Sequence, residues 1–304
     1  MIGEIRKQRN GVLMKEFCDL HVHSVYSDGT WTPEQLIREA ERLQLGALAL
    51  CDHNTVGGLP DLLEAARESG VQAVPGIEFS TEYRGSELHI LALFVEPEHY
   101  EAVTEYVQKM QRRKEESNLA LVAALKRVGI EVDYAAVKAA TPAGVVNRAL
   151  IAAEMVRKGY CETVQEAFRR WLSPEHGYFV PPKRLDALET IRFIRSIGAV
   201  SVLAHPFLNL KKEKDLRCFL SEAEGLDGME TEYATFTPEQ RKLAGAIAEE
   251  FGLLPSGGSD FHGANKPDIC LGTGRGDLQV GADCYRNLVE RARQKAAQNL
   301  GGSL

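Results

Sequence analysis

The chain has 304 residues, 44% of them hydrophobic and 26% charged, an ordinary soluble globular mixture with material for one large core or two smaller ones. Its formal net charge of -7 argues against a broad basic face for duplex nucleic acid but allows a small phosphorylated substrate, because bound cations would reverse the field locally. No apolar run reaches the roughly 20 residues that span a bilayer, the N-terminus has charges but no signal-peptide core, and six scattered cysteines without a CxxC pair suit free thiols in a reducing cytoplasm.

Residues 1–14 read as an N-terminal tail. Phe17 to Val22 is the first predicted strand, and it runs into Asp19-Leu20-His21-Val22-His23 followed by Ser24-Val25-Tyr26-Ser27-Asp28-Gly29. On a strand, residues i and i+2 share a face, so His21 and His23 can reach one point, with the Asp28 carboxylate close behind. Thr32-Pro33-Glu34-Gln35 then forms a capping box, and Leu36, Ile37, Ala40 and Leu43 follow at helical spacing until Gly46. Ala47 to Leu50 is a short strand ending in Cys51-Asp52-His53-Asn54, where Cys51 reads as a small buried residue rather than a soft ligand. A helix from about Leu59 to Glu68 precedes a strand from Val71 to Phe79, with Glu78 near its end. Glu87 to Val95 is a further strand whose His89 comes early, so either that strand runs antiparallel to its neighbour or its boundary lies elsewhere.

The rhythm of strand, polar tip and helix favours a parallel α/β layout, and if that layout closes as a barrel its site lies at the strands' C-terminal rim. Pro97 to Val128 is a long charged helix or helix pair, and these elements make residues 15–130 the first part of the barrel. Residues 131–184 break the alternation with helical segments near Val145–Lys158 and Thr163–Trp171 and a loop from Ser173 to Pro182. They read as a helical insertion capping the barrel. Alternation resumes over 185–304: a helix from Leu188 to Ile197, a strand from Ala199 to Ala204 ending in His205-Pro206, and a strand from Leu226 to Glu230. Thr237-Pro238-Glu239-Gln240 opens a second boxed helix, Leu253 to Gly257 is a strand ending in Ser259-Asp260-Phe261-His262, and Cys284 to Gln298 is a closing helix.

Six histidines (His21, His23, His53, His89, His205 and His262) thus lie in polar tips beside or within apolar strands, together with Asp28, Glu78 and Asp260. One such histidine is more often a satisfied core residue, but six with carboxylates make that improbable. Mixed oxygen and imidazole donors suit Mn²⁺, Zn²⁺ or Fe²⁺ better than Ca²⁺, and there are enough for more than one ion.

The motifs DLHVHS…SDG (19–29), CDHNT (51–55), GIE (76–78), HIL (89–91), AHP (204–206) and GSDFH (258–262) resemble, in order and spacing, those of the PHP (polymerase and histidinol phosphatase) family of metal-dependent phosphoesterases. The branch most similar contains nucleoside 3′,5′-bisphosphate phosphatases and 5′–3′ oligoribonucleases. The resemblance implies a distorted (β/α)₇ PHP barrel with a helical cap insertion and three divalent metal ions, manganese foremost, zinc or iron otherwise. It implies that His21, His23, Glu78 and Asp260 hold the first ion and that Glu78 bridges to a second completed by His89 and His205. Asp28, His53 and His262 would hold a third, with Asp52 and Asn54 fixing ring orientation.

The expected reaction is hydrolysis of a phosphate ester of a nucleotide or short oligonucleotide by a metal-bound hydroxide, with Glu78, Asp260 and His205 as the catalytic groups. Arg148 matches an arginine that holds a substrate phosphate, and Tyr178 falls in a segment like the relatives' GYV, so both are substrate-binding candidates. Relatives carry histidine at the position of Leu150, a lysine where Glu175-His176 stand, and Gly-Arg-Tyr where Phe207-Leu208-Asn209 follow His205-Pro206. These departures remove basic groups and bear on which ester is taken, not on the metal chemistry. Two alternatives stay open: a phosphatase of a non-nucleotide metabolite such as histidinol phosphate, and a non-catalytic metal-binding PHP domain. The filled ligand set counts against the second.

Overall fold

A computed structural model describes residues 15–140 and 146–301; the N-terminal tail expected at 1–14 lies outside them. The chain forms two compact units, one running to Thr104 and resuming at Leu185, the other spanning Glu105–Arg184. The first opens with β1 (Phe17–Val22), α1 (Pro33–Arg42), β2 (Ala47–Leu50), α2 (Leu59–Ala65), β3 (Gln72–Tyr83) and β4 (Ser86–Leu93). Helix α3 (Tyr100–Arg127) leads into the second unit, which holds α4 (Tyr134–Ala139), α5 (Arg148–Arg157) and α6 (Val164–Ala167). The first unit then resumes with β5 (Leu185–Asp186), α7 (Ala187–Ser196), β6 (Val200–Leu203), α8 (Pro206–Asn209) and α9 (Glu213–Glu222). It ends with β7 (Gly228–Tyr233), α10 (Pro238–Glu250), β8 (Leu254–Gly258), β9 (Val280–Gly281) and α11 (Ala282–Gly301).

The strands of the first unit curl into a nearly closed barrel in the order β8-β7-β6-β4-β3-β2-β1. A parallel bridge from Val22 to Phe261, just past β8, brings the two ends of that order together. The two-residue strands flank it, β9 antiparallel on β1 and β5 on β3. The neighbours β1/β2, β2/β3, β6/β7 and β7/β8 are parallel, whereas β4 runs antiparallel to both β3 and β6. The cause is local. Arg84 (φ 50) and Gly85 (φ 80) are both left-handed and close a two-residue hairpin from Tyr83 to Ser86. That reversal puts the N-terminal part of β4 at the rim where the parallel strands end, so His89 arrives there early in its strand.

Both faces of the central strands are covered, which is why β2 reads Ala-Leu-Ala-Leu without polar alternation and is buried throughout. Cys18, Leu20, Ala47, Ala49, Leu91, Val200 and Val202 form one cluster with Tyr285, Leu288 and Ala292 of α11. Both capping boxes form, at Thr32 with Gln35 and at Thr237 with Gln240. Two helices that the apolar pattern does not single out, α8 and α9, fill the stretch after His205-Pro206. The second unit packs Leu121, Leu125, Ile151, Met155, Leu172 and Phe179 into a core of its own. Its helices start at side-chain caps from Asp133, Asn147 and Thr163. No helix among the described residues is long and apolar enough to cross a membrane.

Candidate metal centre

Each histidine-bearing tip is tied to its neighbour by backbone hydrogen bonds. Asp260 N–H donates to His21 O (2.8 Å) and His23 N–H to Phe261 O (2.9 Å), joining β1 to the chain leaving β8. Asn54 N–H donates to Glu78 O (2.9 Å), Glu78 N–H to Asp52 O (3.3 Å) and Ala204 N–H to His89 O (3.0 Å). The approach of β8 to β1 requires glycine: a Cβ on Gly258 would stand 2.4 Å from His21 Cβ. Asn54 (φ 53), His205 (φ 27) and Asp260 (φ 54) adopt left-handed backbone at these tips, a strain held in place by the surrounding ladders.

The side chains converge on Glu78, which is wholly buried. Its Oε2 lies 3.2 Å from His21 Nε2, 3.2 Å from His23 Nε2 and 3.1 Å from His53 Nδ1. Its Oε1 lies 2.8 Å from His89 Nδ1 and 3.0 Å from His205 Nε2. Asp260 Oδ1 is 3.1 Å from His23 Nε2 and 3.4 Å from His262 Nδ1, and His262 Nε2 is 3.2 Å from Asp28 Oδ1. Asp28 itself is half exposed. Three groups have ligand atoms within 4.8 Å of one another: His21, His23, Glu78 and Asp260; His23, Asp28, His53 and His262; and His53, Glu78 and His89.

These donors fit cations rather than one another. His21 Nε2 and His23 Nε2 face each other at 3.1 Å, an approach that needs a proton or a metal ion between two lone pairs. Glu78 Oε2, His53 Nδ1, His23 Nδ1 and His205 Nδ1 are buried without a hydrogen-bond partner. Burial opposes ionisation of Glu78, yet His53, His89 and His21 hold its carboxyl well below the usual range. Burial likewise resists charge on His23 and His89, but Asp260 and Glu78 bring His23 up to about 9 and Glu78 brings His89 up to about 10. At His53 burial prevails and pushes the ring down to about 4. A cluster of anionic carboxylates and lone pairs that hold protons only through their neighbours' charge is one that metal ions can load by displacing those protons.

Behind this layer stands Glu230, fully buried on β7, which sequence reasoning did not single out. Its Oε1 lies 2.9 Å from His21 Nδ1, fixing that ring so that Nε2 points inward, and its Oε2 accepts from His205 N–H at 2.5 Å. Tyr233 OH donates to Asp260 Oδ2 at 2.7 Å. Asp19 accepts from Ser259 N–H, Ser259 Oγ–H and Gly272 N–H, which pins the tip after β8. The available signal for Glu230 was an acid at the end of the predicted strand from Leu226 to Glu230. Asp52 and Asn54 correct an expectation, since neither orients an imidazole. Asp52 accepts from Ser24 N–H and from the Ser24 and Ser27 hydroxyls, and Asn54 pairs with Ser80. They shape backbone because their side chains turn back to the loop and to β3. Cys51 is buried, its thiol on Leu20 O at 3.7 Å and burial pushing it well above its ordinary pKa.

The two substrate-binding candidates lie in the second unit. Arg148 Nη1 donates to Leu172 O (3.0 Å), and its guanidinium lies over the rings of Phe179 (4.1 Å) and Phe168 (5.4 Å). Tyr178 packs against that unit's core.

Fold and cluster define a class first: an α/β barrel whose rim carries a set of histidines and carboxylates able to hold metal ions. Residues 19–178 match the PHP domain family. The chain is similar to a 5′-3′ exoribonuclease of Haemophilus influenzae, 33% identical over 80% of this chain and 89% of the relative. It is also similar to a 3′,5′-nucleoside bisphosphate phosphatase of Chromobacterium violaceum, 27% identical over 80% of this chain and 86% of the relative. Among solved structures, one described as a metal-dependent phosphoesterase from Bifidobacterium adolescentis superposes with a TM-score of 0.71 at 29% identity, covering 90% of this chain and 96% of the other. The chain belongs to the PHP family of metal-dependent phosphoesterases.

Proposed function

We propose that the chain hydrolyses a phosphate ester of a nucleotide or short oligonucleotide, using up to three divalent ions, manganese foremost, in a reducing cytoplasm that suits its free cysteines. The carrying observation is Glu78, a buried carboxylate whose two oxygens face imidazoles from β1, β4 and the tips after β1, β2 and β6. His21, His23, Glu78 and Asp260 would take one ion, Glu78 with His89 and His205 a second, and Asp28, His53 and His262 a third. His53 touches Glu78 as well as the Asp28 group, and this supports closely spaced ions sharing ligands. Ions held there would supply a deprotonated water near neutral pH and offset charge on the phosphoryl oxygens.

The chain's own residues do the rest. Glu230 and Tyr233 aim His21 and Asp260, and the hydrogen-bonded tips hold the donors in place before substrate arrives, so little reorganisation accompanies the reaction. Glu78, Asp260 and His205 are the proposed catalytic groups, and Arg148 and Tyr178 the proposed substrate-binding ones. A guanidinium such as that of Arg148, which lies over the Phe179 ring, can fork onto two phosphate oxygens. The nucleotide class is supported by the printed activities of the relatives, one an exoribonuclease and one a nucleoside bisphosphate phosphatase. The test is phosphate release by Mn²⁺-loaded protein from adenosine 3′,5′-bisphosphate, a 5′-phosphorylated dinucleotide and histidinol phosphate side by side. Preference for either nucleotide is expected; preference for histidinol phosphate would replace the nucleotide reading with a metabolite phosphatase.

A further inference from the structure

The turn after His262 carries a cation into the cluster. Lys266 N–H closes it on Gly263 O at 3.2 Å, and Ile269 N–H donates to Lys266 O at 3.0 Å. The turn is anchored on the β1 loop: Ala264 N–H donates to Thr30 Oγ1 and Asn265 Nδ2 to Asp28 O. Gly263 sits so close that a Cβ would stand 2.1 Å from Thr30 Oγ1. The backbone therefore fixes where Lys266 begins, and its Nζ reaches Asp260 Oδ2 at 2.6 Å.

That oxygen does not depend on the ammonium. It already accepts from the buried Tyr233 hydroxyl, so Asp260 keeps a donor if Lys266 leaves. The lysine side chain is 39% exposed against 5% for Asp260, so the ammonium stays in contact with solvent while it pairs with a buried carboxylate. Among the described residues it is the lysine or arginine paired with a carboxylate of the cluster. The stretch Phe207-Leu208-Asn209 after His205-Pro206 brings no charge.

We propose that Lys266 is a specificity-determining residue whose Nζ exchanges Asp260 Oδ2 for a phosphoryl oxygen of the substrate, selecting a phosphate group that carries two negative charges. The assignment rests on the phosphoesterase reading of the metal centre. A compact ammonium on a flexible stem suits this task, since it follows a charge without demanding the planar fork of a guanidinium.

The experiment is calorimetric titration of Mn²⁺-loaded wild type, Lys266→Met and Lys266→Arg with inorganic phosphate. Manganese content, Tm, and kcat and KM for adenosine 3′,5′-bisphosphate are measured on each. Lys266→Met is expected to keep its manganese and Tm while binding phosphate about ten- to a hundredfold more weakly, with KM rising more than kcat falls. Lys266→Arg should recover most of the affinity. Unchanged phosphate affinity overturns the proposal, and so does loss of manganese together with affinity, which would make Lys266 a clamp on Asp260. If wild type hydrolyses no phosphate ester yet binds phosphate through Lys266, the proposed function falls and this site stands; turnover with Lys266-independent phosphate binding sinks the site alone.

Discussion

Glu78 is surrounded by His21, His23, His53, His89 and His205, so its removal uncovers several imidazoles at once. Glu78→Ala is expected to abolish turnover and lower metal content together; elemental analysis beside a phosphate-release assay checks this, and intact activity would exclude a bridging role. Glu230→Gln is a subtler change, since the amide keeps the shape but loses the charge that makes His21 a better donor. Its metal affinity should fall about 10- to 100-fold, read by competition with a chelator, with the fold retained. The sequence made the outer donors legible because each closes an apolar run: Ala47–Leu50 stops at the His53 tip and Ala199–Ala204 at His205. Glu230 and Tyr233 were not legible as supports. They lie within Met-Glu-Thr-Glu-Tyr, whose alternation is equally that of a half-wetted strand, and only the pairing of β7 with β6 and β8 buries it.

At the scale of elements, the site exists because β1 and the tip after β8 meet at backbone distance. Gly258→Ala forces a methyl group against the His21 backbone, with N at 2.5 Å and Cα at 2.9 Å, and neither can swing aside. Overpacking of this kind should cost about 1–3 kcal/mol, visible as a lower Tm, and should loosen metal binding because His21 moves with the strand. Strand and helix boundaries followed the apolar periodicity closely where caps were explicit, as at Thr32 and Thr237. They were lost where elements are very short, as in β5 and β9, or where a helix begins on a functional tip, as α8 does directly after His205. The early position of His89 left a reversed strand and a misplaced boundary both open; the strand is reversed, by an Arg84–Gly85 turn that the pattern alone does not name.

For the molecule as a whole, charge couples metal loading to stability. In the metal-free protein His23 and His89 have pKa values of about 9 and about 10, raised above their ordinary value. Their contribution is therefore complete below about pH 6.5 and lost as pH rises through those values. The Tm of chelator-treated protein should fall from pH 7 to pH 10, while that of loaded protein, whose rings are already neutral, should not show this component. Loading with Mn²⁺ near neutral pH should release protons, measured as a buffer-dependent heat. A flat profile for the chelated form would mean that the two imidazoles are not held charged by Glu78 and Asp260. The barrel class was legible from motif order. The second compact unit begins at Glu105, inside α3, where a continuous helix offers no break in sequence pattern.

The seam between β1 and the end of β8 also sets an order of events during synthesis. Asp19 and Ser259, which bond across it, lie 240 positions apart. On the ribosome, β1 through β4 emerge while their closing partner has yet to be translated, and the whole Glu105–Arg184 unit follows before it. Until then β1 offers an open edge and its two histidines lack Asp260 and His262. Nascent chains can begin to gather imidazoles early, but the full set of proposed donors cannot assemble until almost the last barrel segment has been made.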